Sequence, residues 1–270
     1  MTVIAETTAE TTDGSPTTTA ERPASAVLAG RTAVITGGTT GLGRELAEGF
    51  LRAGARVVCG ARREHGVVGE VVDRYPDRAA YVACDVREPE SLERLMDATA
   101  ERFGGIDIVV ANAGITRNDT VRRLSTEHWR EVMSTNVDGV FHTVRAALPH
   151  LERADGGTIL TVSSAMTSHP MVGAGAYVAS KAAIEAFTRC CAVEFASRRI
   201  RVNCLAPGIL SVGMGEAVAA DERLRQLYWP RLLSGRAGTP QEAVGAAVFL
   251  VGPAASYVNG HVLAVDGGVL

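Results

Sequence analysis

The sequence predicts an α/β protein in which helices cover both faces of a parallel β-sheet. From residue 31 onward, short apolar runs rich in β-branched residues alternate with longer amphipathic segments. Strands that are apolar along their whole length are typical of sheets buried on both faces. The chain has 270 residues, of which 46% are hydrophobic and 21% charged. These values fit one globular α/β domain with a substantial core.

The alternation predicts about seven strands and several long helices. The predicted strands are 32–36, 56–60, 80–84, 106–111, 157–162, 201–206 and 261–265. The amphipathic segments predict helices over 43–53, 91–103, 127–151 and 178–196. In parallel sheets of this kind, ligands bind at the carboxyl ends of the strands. The loops that follow the strands are therefore where we expect the functional residues.

The first 28 residues differ from the rest of the chain. They are rich in Thr, Ala and Glu and almost lack large apolar side chains. Such a segment buries too little surface to offset its chain entropy, so we predict a disordered tail (1–28) before a single domain (29–270). The tail has neither the basic start nor the apolar run of a signal peptide. It also carries Glu6, Glu10 and Asp13, unlike the acid-poor mitochondrial targeting peptides.

Charge and cysteine content exclude several classes of function. The formal net charge of -3 argues against a polyanion-binding surface, so no nucleic-acid partner is expected. No apolar run approaches the ~20 residues of a membrane-spanning helix, so no membrane partner is expected. The five cysteines show no CxxC spacing. We interpret them as buried thiols of a reducing cytosol, which predicts a cytoplasmic protein with neither a disulfide framework nor a metal site.

A glycine-rich loop follows the first predicted strand and leads into a helix. Its candidate ligand-binding residues are Gly37, Thr39, Thr40, Gly41, Leu42 and Gly43. Glycines let the backbone approach a ligand that a side chain would block, and the amides that begin the next helix suit a pyrophosphate. An ordinary glycine-rich turn is the alternative. The strand before the loop and the helix after it favour a dinucleotide site.

The residues after the second and third strands bear on which dinucleotide binds. Arg62 and Arg63 follow the second strand, where a carboxylate would otherwise bind the 2′-hydroxyl of NAD. Guanidinium groups suit a 2′-phosphate, so the sequence favours NADP(H) over NAD. A solvated basic turn is the alternative. After the third strand, the carboxylate of Asp85, followed by Val86, is a candidate acceptor for the adenine amino group.

The only lysine of the chain follows a tyrosine at helical spacing. Of the 27 basic residues, 26 are arginine, and the single lysine is Lys181. Tyr177 lies four residues earlier, on the same face of a predicted helix. An ammonium group beside a phenol favours the phenolate and is expected to lower the pKa of Tyr177 toward neutrality. Ser164, at the end of a predicted strand, is a candidate hydrogen-bond donor to a substrate carbonyl oxygen.

Taken together, these motifs resemble the short-chain dehydrogenase/reductase family over roughly residues 30–270. The TGxxxGxG pattern matches residues 36–43, and the NAG motif matches 112–114. The catalytic tetrad matches Asn136, Ser164, Tyr177 and Lys181. The Pro207-Gly208 turn and the segment 265–268 also fit. The resemblance implies a Rossmann-type doubly wound fold and an enzyme that transfers hydride between NADP(H) and a ketone or secondary alcohol.

The resemblance also implies a role for each site residue. Tyr177 would be the general acid, Lys181 would lower its pKa and bind the nicotinamide ribose, Ser164 would position the carbonyl, and Asn136 would hold a water of a proton relay. Beyond the loops already described, the implied cofactor-binding residues are Asn112, Ala113, Gly114, Tyr177, Lys181, Pro207, Gly208 and Ile209. One position departs from the family pattern: Val212 stands where a threonine usually contacts the nicotinamide carboxamide, with Ser211 beside it as a possible substitute.

The substrate is less narrowly indicated. Residues 112–118 look most like the 3-oxoacyl-(acyl-carrier-protein) reductases, which implies a β-ketoacyl or related ketone. Those reductases carry a basic docking residue where this chain has Asp155, although Arg198 and Arg199 form a basic pair nearby, so a carrier-protein partner stays open. The segment 212–237 is the expected substrate lid. Its Tyr228-Trp229 pair either closes over an apolar substrate or packs the lid onto the body.

Three further expectations complete the sequence-based picture. A loop histidine is more often structural, so His169 is left out of the site. Family resemblance implies a homotetramer or homodimer built on the helices 127–151 and 178–196. The alternatives to a ketone reductase are a member of the fold recruited for non-redox chemistry, such as cyclisation, dehydration or isomerisation, and a non-catalytic NADP-binding protein. The Val212 substitution is the only feature that favours the non-redox alternative.

Overall fold

The computed structural model describes residues 26–63 and 66–269. Its centre is a seven-stranded sheet in which every adjacent pair of strands is parallel, in the order β3-β2-β1-β4-β5-β6-β7. The strands are β1 (Thr32–Thr36), β2 (Arg56–Ala61), β3 (Ala79–Ala83), β4 (Ile108–Ala111), β5 (Gly157–Val162), β6 (Ile200–Pro207) and β7 (Val262–Val265). This order confirms the predicted doubly wound sheet.

Helices connect the strands and cover both faces. They are α1 (Gly41–Arg52), α2 (Gly66–Arg74), α3 (Pro89–Phe103), α4 (Thr126–Met133), α5 (Gly139–Arg153), α6 (Gly175–Phe195), α7 (Met214–Ala220), α8 (Glu222–Tyr228) and α9 (Pro240–Val251). The amphipathic segments predicted from the sequence correspond to α1, α3, α4–α5 and α6. The pair α7 and α8 lies within the predicted lid.

The predicted helix 127–151 is not continuous. A π-helical turn, Ser134–Asp138, separates α4 from α5. Such turns insert an extra residue into the helical repeat and are frequent at functional sites. Here the turn carries Asn136, whose side chain is buried. Hydrophobic periodicity cannot show the extra residue, because the apolar face continues on both sides of the turn.

The core has two layers, one on each face of the sheet. Side chains of α1 and α9, such as Phe50 and Leu250, pack on one face. Those of α3, α5 and α6, such as Leu95 and Ile184, pack on the other. Successive residues of β1 alternate between the layers, and all five are buried. The continuous apolar runs seen in the sequence therefore reflect burial on both sides.

The folded part begins earlier than predicted. Leu28, at the end of the expected tail, is buried in the core layer beside α1, and its amide donates to the carbonyl of Ala53 at 2.9 Å. The boundary at residue 28 is therefore corrected, because burial of this apolar side chain fixes the segment that precedes β1. The expectation of disorder for residues 1–25 lies outside the described residues.

Four cysteines are buried as predicted, and the fifth is not. Cys59, Cys84, Cys191 and Cys204 are buried, and burial raises the pKa of Cys59 to about 12. Cys190 is exposed on α6, which corrects the prediction for that thiol. Within the ranges 26–63 and 66–269, no three His, Cys, Asp or Glu side chains form a group able to hold a metal ion. Across the same ranges, every helix is too short or too polar to cross a bilayer.

Candidate active site

A cleft of about 1170 Å³ opens at the carboxyl ends of the strands, around the point where β1 and β4 are neighbours. This is the position at which doubly wound sheets bind ligands. The predicted site residues that line it are Gly37, Thr39, Thr40, Gly41, Leu42, Gly43, Arg62, Arg63, Asp85, Val86, Asn112, Ala113, Gly114, Ser164, Tyr177, Lys181, Pro207, Gly208 and Ile209. Of the predicted set, Asn136 alone lies behind the cleft wall.

The glycine loop leaves no room for side chains at two positions. A Cβ at Gly43 would lie 2.2 Å from the carbonyl oxygen of Gly37, and Gly37 itself has φ +65°. Gly37 also lies against the loop after β4, where an added Cβ would meet Ala113 Cα at 3.0 Å. The loop therefore packs tightly on its neighbour and presents bare backbone to the cleft, which suits close approach of a pyrophosphate.

The loop after β4 is held to the glycine loop by Thr36 and Asn112. The Thr36 hydroxyl accepts hydrogen bonds from the amides of Asn112 (3.1 Å) and Ala113 (3.3 Å). The Asn112 side-chain amide donates to the carbonyls of Thr36 (3.0 Å) and Gly37 (3.3 Å). Asn112 thus acts through the backbone of the dinucleotide loop, so its contribution to the cleft is the shape of that loop.

At the end of the cleft that the loops after β2 and β3 form, the carboxylate of Asp85 is already hydrogen bonded. Arg87 donates to Asp85 through its guanidinium Nε (3.0 Å) and its own amide (3.0 Å). These hydrogen bonds lower the pKa of Asp85, and Arg62 adds a smaller effect in the same direction. Arg62, Arg63 and Arg87 all line this end. The sequence analysis named Asp85 as an adenine ligand but missed Arg87, the residue that orients and neutralises it.

Ser164 and Tyr177 meet across the floor of the cleft. Ser164 precedes a 3₁₀ turn, Ala165–Thr167, and its hydroxyl oxygen accepts from the amide of Met166 at 3.2 Å. Since that oxygen accepts from the turn, its own proton is available for a second partner. Tyr177 lies at the start of α6 and is buried, and it lines the same cleft as Ser164. A substrate oxygen placed between these two hydroxyls would contact both.

Lys181 lies one helical turn after Tyr177 and is also buried. Its Nζ donates to the carbonyl of Val162 at 2.7 Å and lies 5.6 Å from the centroid of the Tyr177 ring. Burial lowers the pKa of Lys181 to about 8. Burial also raises the pKa of Tyr177, and the hydrogen bond with Ser164 offsets this only in part. The expected lowering by Lys181 is therefore corrected, because desolvation of the phenolate dominates.

Asn136 does not line the cleft, but its hydrogen bonds stabilise the wall of the cleft. Its side-chain oxygen accepts from the amide of Ile115 at 2.8 Å, and its amide donates to the carbonyl of Ile115 and to the Ser180 hydroxyl, each at 2.9 Å. These contacts tie the loop after β4 to α6. The proton-relay role that the resemblance implies for Asn136 stays a prediction.

Glu185 is a residue of the site region that the sequence analysis missed. Its Oε1 accepts from the hydroxyls of Ser163 (2.6 Å) and Thr167 (2.7 Å). Thr167 also donates to the carbonyl of Ser164 at 2.9 Å. Glu185 therefore fixes both ends of the turn that carries Ser164. The available signal was its spacing, because Glu185 follows Lys181 by four residues on the same face of α6.

Replacing Glu185 tests this positioning role. We expect Glu185→Ala to lower the free energy of unfolding by about 2–4 kcal/mol, because two hydroxyl donors lose a charged acceptor in a partly buried place. Glu185→Gln keeps one acceptor oxygen and should recover part of the loss. Denaturant unfolding measures the effect. Glu194→Ala is the matched control, since Glu194 is exposed on the same helix. Equal stability of the two alanine variants would contradict the role.

The loop after β6 places Val212 in the cleft and Ser211 outside it. Val212 lines the cleft and packs on the core layer beside α1. Ser211 is exposed, and its amide donates to the carbonyl of Gly238 at 2.8 Å. The hydroxyl of Ser211 is thus not placed to substitute for the missing threonine. The cleft therefore presents an apolar side chain at this position.

The two aromatic residues of the predicted lid, Tyr228 and Trp229, lie in different environments. Tyr228 lines the cleft, whereas Trp229 is not among its lining residues and is half-buried. Tyr228 is therefore the member of the pair placed to contact a ligand in the cleft, and both predicted roles of the pair stay predictions. His169, which the sequence analysis left out of the site, also lines the cleft.

Comparison with known proteins agrees with this geometry. A family model described as "Enoyl-(Acyl carrier protein) reductase" matches residues 37–270. A 3-oxoacyl-(acyl-carrier-protein) reductase of Vibrio cholerae serotype O1 is 36% identical over 242 residues, covering 90% of this chain and 98% of that protein. A 2-dehydro-3-deoxy-D-gluconate 5-dehydrogenase of Escherichia coli is 35% identical over 244 residues, covering 90% and 96%.

Solved structures give the same picture. A gluconate 5-dehydrogenase of Burkholderia cenocepacia, crystallised with NADP and tartrate, matches with a TM-score of 0.84 and 33% identity. The match covers 89% of this chain and 95% of that one. A short-chain type dehydrogenase/reductase of Mycobacterium marinum matches with a TM-score of 0.82 and 34% identity, covering 89% and 95%. With its sheet order, its glycine loop and its Ser–Tyr–Lys cluster, the chain belongs to the short-chain dehydrogenase/reductase family.

Proposed function

We propose that this protein is an NADP(H)-dependent oxidoreductase that reduces a ketone to a secondary alcohol. The observation that carries the proposal is the cluster of Ser164, Tyr177 and Lys181 on the floor of a cleft whose other end is a bare glycine loop. The relatives named as 3-oxoacyl reductases and sugar-acid dehydrogenases support an exchange between a carbonyl and an alcohol.

The residues of the cleft divide the chemistry between them. Bound NADPH supplies the hydride. Tyr177 donates its phenolic proton to the carbonyl oxygen as negative charge develops there, so that the product is a neutral alcohol. Ser164 donates a hydrogen bond to the same oxygen and stabilises that charge. The Lys181 ammonium stabilises the tyrosinate that remains after proton transfer.

Arginine at the adenine end supports NADP(H) over NAD(H). Arg62 and Arg63 directly follow β2, which ends in Ala61 rather than in an acidic residue. Both arginines line the cleft. The 2′-phosphate of NADP carries the negative charge that these guanidinium groups would complement. The neighbouring carboxylate of Asp85 is paired with Arg87 and so does not oppose the phosphate.

The assay follows NADPH absorbance with a panel of simple ketones, keto acids and β-ketoacyl thioesters. We expect stoichiometric loss of NADPH and formation of the alcohol with at least one class of ketone. Conversion of substrate without loss of NADPH would instead indicate non-redox chemistry. Binding of NADPH without turnover of any carbonyl would indicate a cofactor-binding protein.

The pH dependence should differ between the two directions. Because the raised pKa keeps Tyr177 protonated at neutral pH, the acid needed for ketone reduction is available there. Lys181 is an ammonium below its pKa of about 8 and neutral above it. We therefore expect reduction to decline as pH rises through about 8, because the neutral amine no longer stabilises the tyrosinate left by proton transfer, and alcohol oxidation to increase only at higher pH, where the tyrosinate forms. Initial rates in both directions measure this. A reduction rate that rises with pH would contradict it.

A carrier protein is not part of the proposal. The basic pair considered as its docking site is neutralised, because Arg198 pairs with Glu152 at 2.7 Å and Arg199 pairs with Asp155. An acidic carrier would have to compete with these carboxylates, so we propose a free small-molecule substrate.

We also propose a homotetramer or homodimer. Trp129 of α4, Phe141 of α5 and Val193 of α6 are exposed apolar side chains that such an assembly would cover. Light scattering of the full chain measures the mass, and the mass of a single chain would contradict the assembly.

A further inference from the structure

The part of the cleft that would receive the substrate carries positive charge and no negative charge. Asp85 is the one carboxylate residue among the described residues that line the cleft, and it lies at the adenine end, paired with Arg87. Near the lid, Arg231 lines the cleft, and no described carboxylate pairs with it. An unopposed guanidinium on the wall of the cleft favours an anionic ligand.

Arg231 is carried by backbone that is fixed to the sheet. It ends the 3₁₀ turn Trp229–Arg231, and the next residue, Leu232, is buried and bridges to Val269. The amide of Leu233 then donates to the carbonyl of Gly268 at 2.8 Å. The base of the lid is thus anchored next to the end of β7. The backbone that carries Arg231 therefore has a defined position, and its exposed side chain extends from that anchored base.

His169 supplies a second hydrogen-bonding group to the same cleft. It ends the loop that Glu185 fixes, and its amide donates to the carbonyl of Ala165 at 3.1 Å. Its Nδ1 is buried without a hydrogen-bond partner, and the residue lines the cleft. A buried N–H without an acceptor is costly, which favours the tautomer with its proton on Nε2 over the tautomer with its proton on Nδ1. The ring therefore offers a donor.

We propose that the substrate is a free keto acid, with its carboxylate bound by Arg231 and a further oxygen accepting from His169 Nε2. This inference rests on the proposed ketone reduction and narrows its substrate class. The fork of a guanidinium matches the two oxygens of a carboxylate. A thioester or carrier-bound substrate lacks the free carboxylate at that position, so Arg231 would select against it.

Matched acids and esters test the proposal. Acetoacetate, levulinate and 5-oxohexanoate place the carboxylate at increasing distance from the ketone, and the methyl ester of each has the same ketone without the charge. With NADPH and the full chain, we expect at least one acid to exceed its ester in kcat/KM by about 10-fold or more. Added KCl should narrow that difference, because salt screens the guanidinium.

Variants then test whether Arg231 and His169 cause the preference for the acid over its ester. Arg231→Gln should lower kcat/KM for the preferred acid by about 10- to 100-fold, mainly through KM, and leave the ester little changed. His169→Phe should raise KM for the same acid, and His169→Gln, which keeps a donor, should recover part of the affinity. Arg223→Ala is the matched control, because Arg223 is an exposed arginine of α8 that does not line the cleft.

The outcomes separate this inference from the function on which it rests. Esters or thioesters that match or exceed the acids at every chain length would overturn the keto-acid assignment while leaving ketone reduction in place. Equal losses for acid and ester in Arg231→Gln would also overturn it. Failure of every acid, ester and thioester to oxidise NADPH would contradict the proposed function itself.

Discussion

Replacing Tyr177 with phenylalanine should reduce ketone reduction by about 10²- to 10⁴-fold, because the variant keeps the ring and loses the proton donor. Tyr177 is buried, and its raised pKa holds the proton in place at neutral pH. The ring itself fills the floor of the cleft. Binding of NADPH, measured by fluorescence titration, should therefore change little while kcat collapses.

The control is Tyr257→Phe. Tyr257 is fully exposed, so removal of its hydroxyl should leave kcat, KM and NADPH binding unchanged. Far-UV circular dichroism of both variants checks the fold. If Tyr177→Phe retained activity within a few-fold of the natural chain, the proton would have to come from another group, and the assignment of Tyr177 as general acid would be wrong.

The second large effect is expected from the double variant Arg62→Ala/Arg63→Ala. Each arginine offers charge-assisted hydrogen bonds worth about 1.5–3 kcal/mol to a phosphate. Loss of both should weaken NADPH binding by about 100- to 10,000-fold, since each 1.4 kcal/mol corresponds to about tenfold in Kd. NADH lacks the 2′-phosphate, so its binding should change little. Titration of both nucleotides gives the ratio directly.

Arg94→Ala is the control for the loss of a positive charge. Arg94 is exposed on α3 and does not line the cleft. Its replacement should leave the preference for NADPH over NADH intact. Equal weakening of NADPH and NADH binding in the double variant would mean that the arginines shape the loop rather than bind the phosphate, and the proposed NADP(H) preference would lose its support.

Much of the fold could be predicted because a strand that is buried on both faces is apolar along its whole length, and such a run is visible in the sequence. The predicted bounds of β1 and β5 agree with the structure, and those of β2, β3, β6 and β7 differ by one residue at one or both ends. The split between α4 and α5 was missed, since a π-helical turn leaves hydrophobic periodicity nearly unchanged. Leu28 was missed because one apolar residue in a polar segment gives no periodic signal.

Within the candidate site, the residues that could be predicted were those whose partners lie close to them in the sequence. Tyr177 and Lys181 share a helix, so their spacing alone places them together. Arg87 and Glu185 were missed because their importance depends on partners. Arg87 matters through the carboxylate that it neutralises, and Glu185 through two hydroxyls more than fifteen residues away in the chain. The pKa of Tyr177 was expected to fall, but desolvation depends on tertiary packing, which no spacing reveals.

Sequence alone determined the sheet, the dinucleotide loop and the pairing of a phenol with the single lysine, because these depend on residue type and short-range period. Tertiary structure decided which groups are desolvated, paired or left unpaired. In the folded protein, Asp85 is hydrogen bonded to Arg87, and Val212 rather than Ser211 lines the cleft. Arg231 has no carboxylate partner among the described residues. The physical reason is that the charge and hydrogen-bonding state of a side chain depend on neighbours in space, which are distant in the chain.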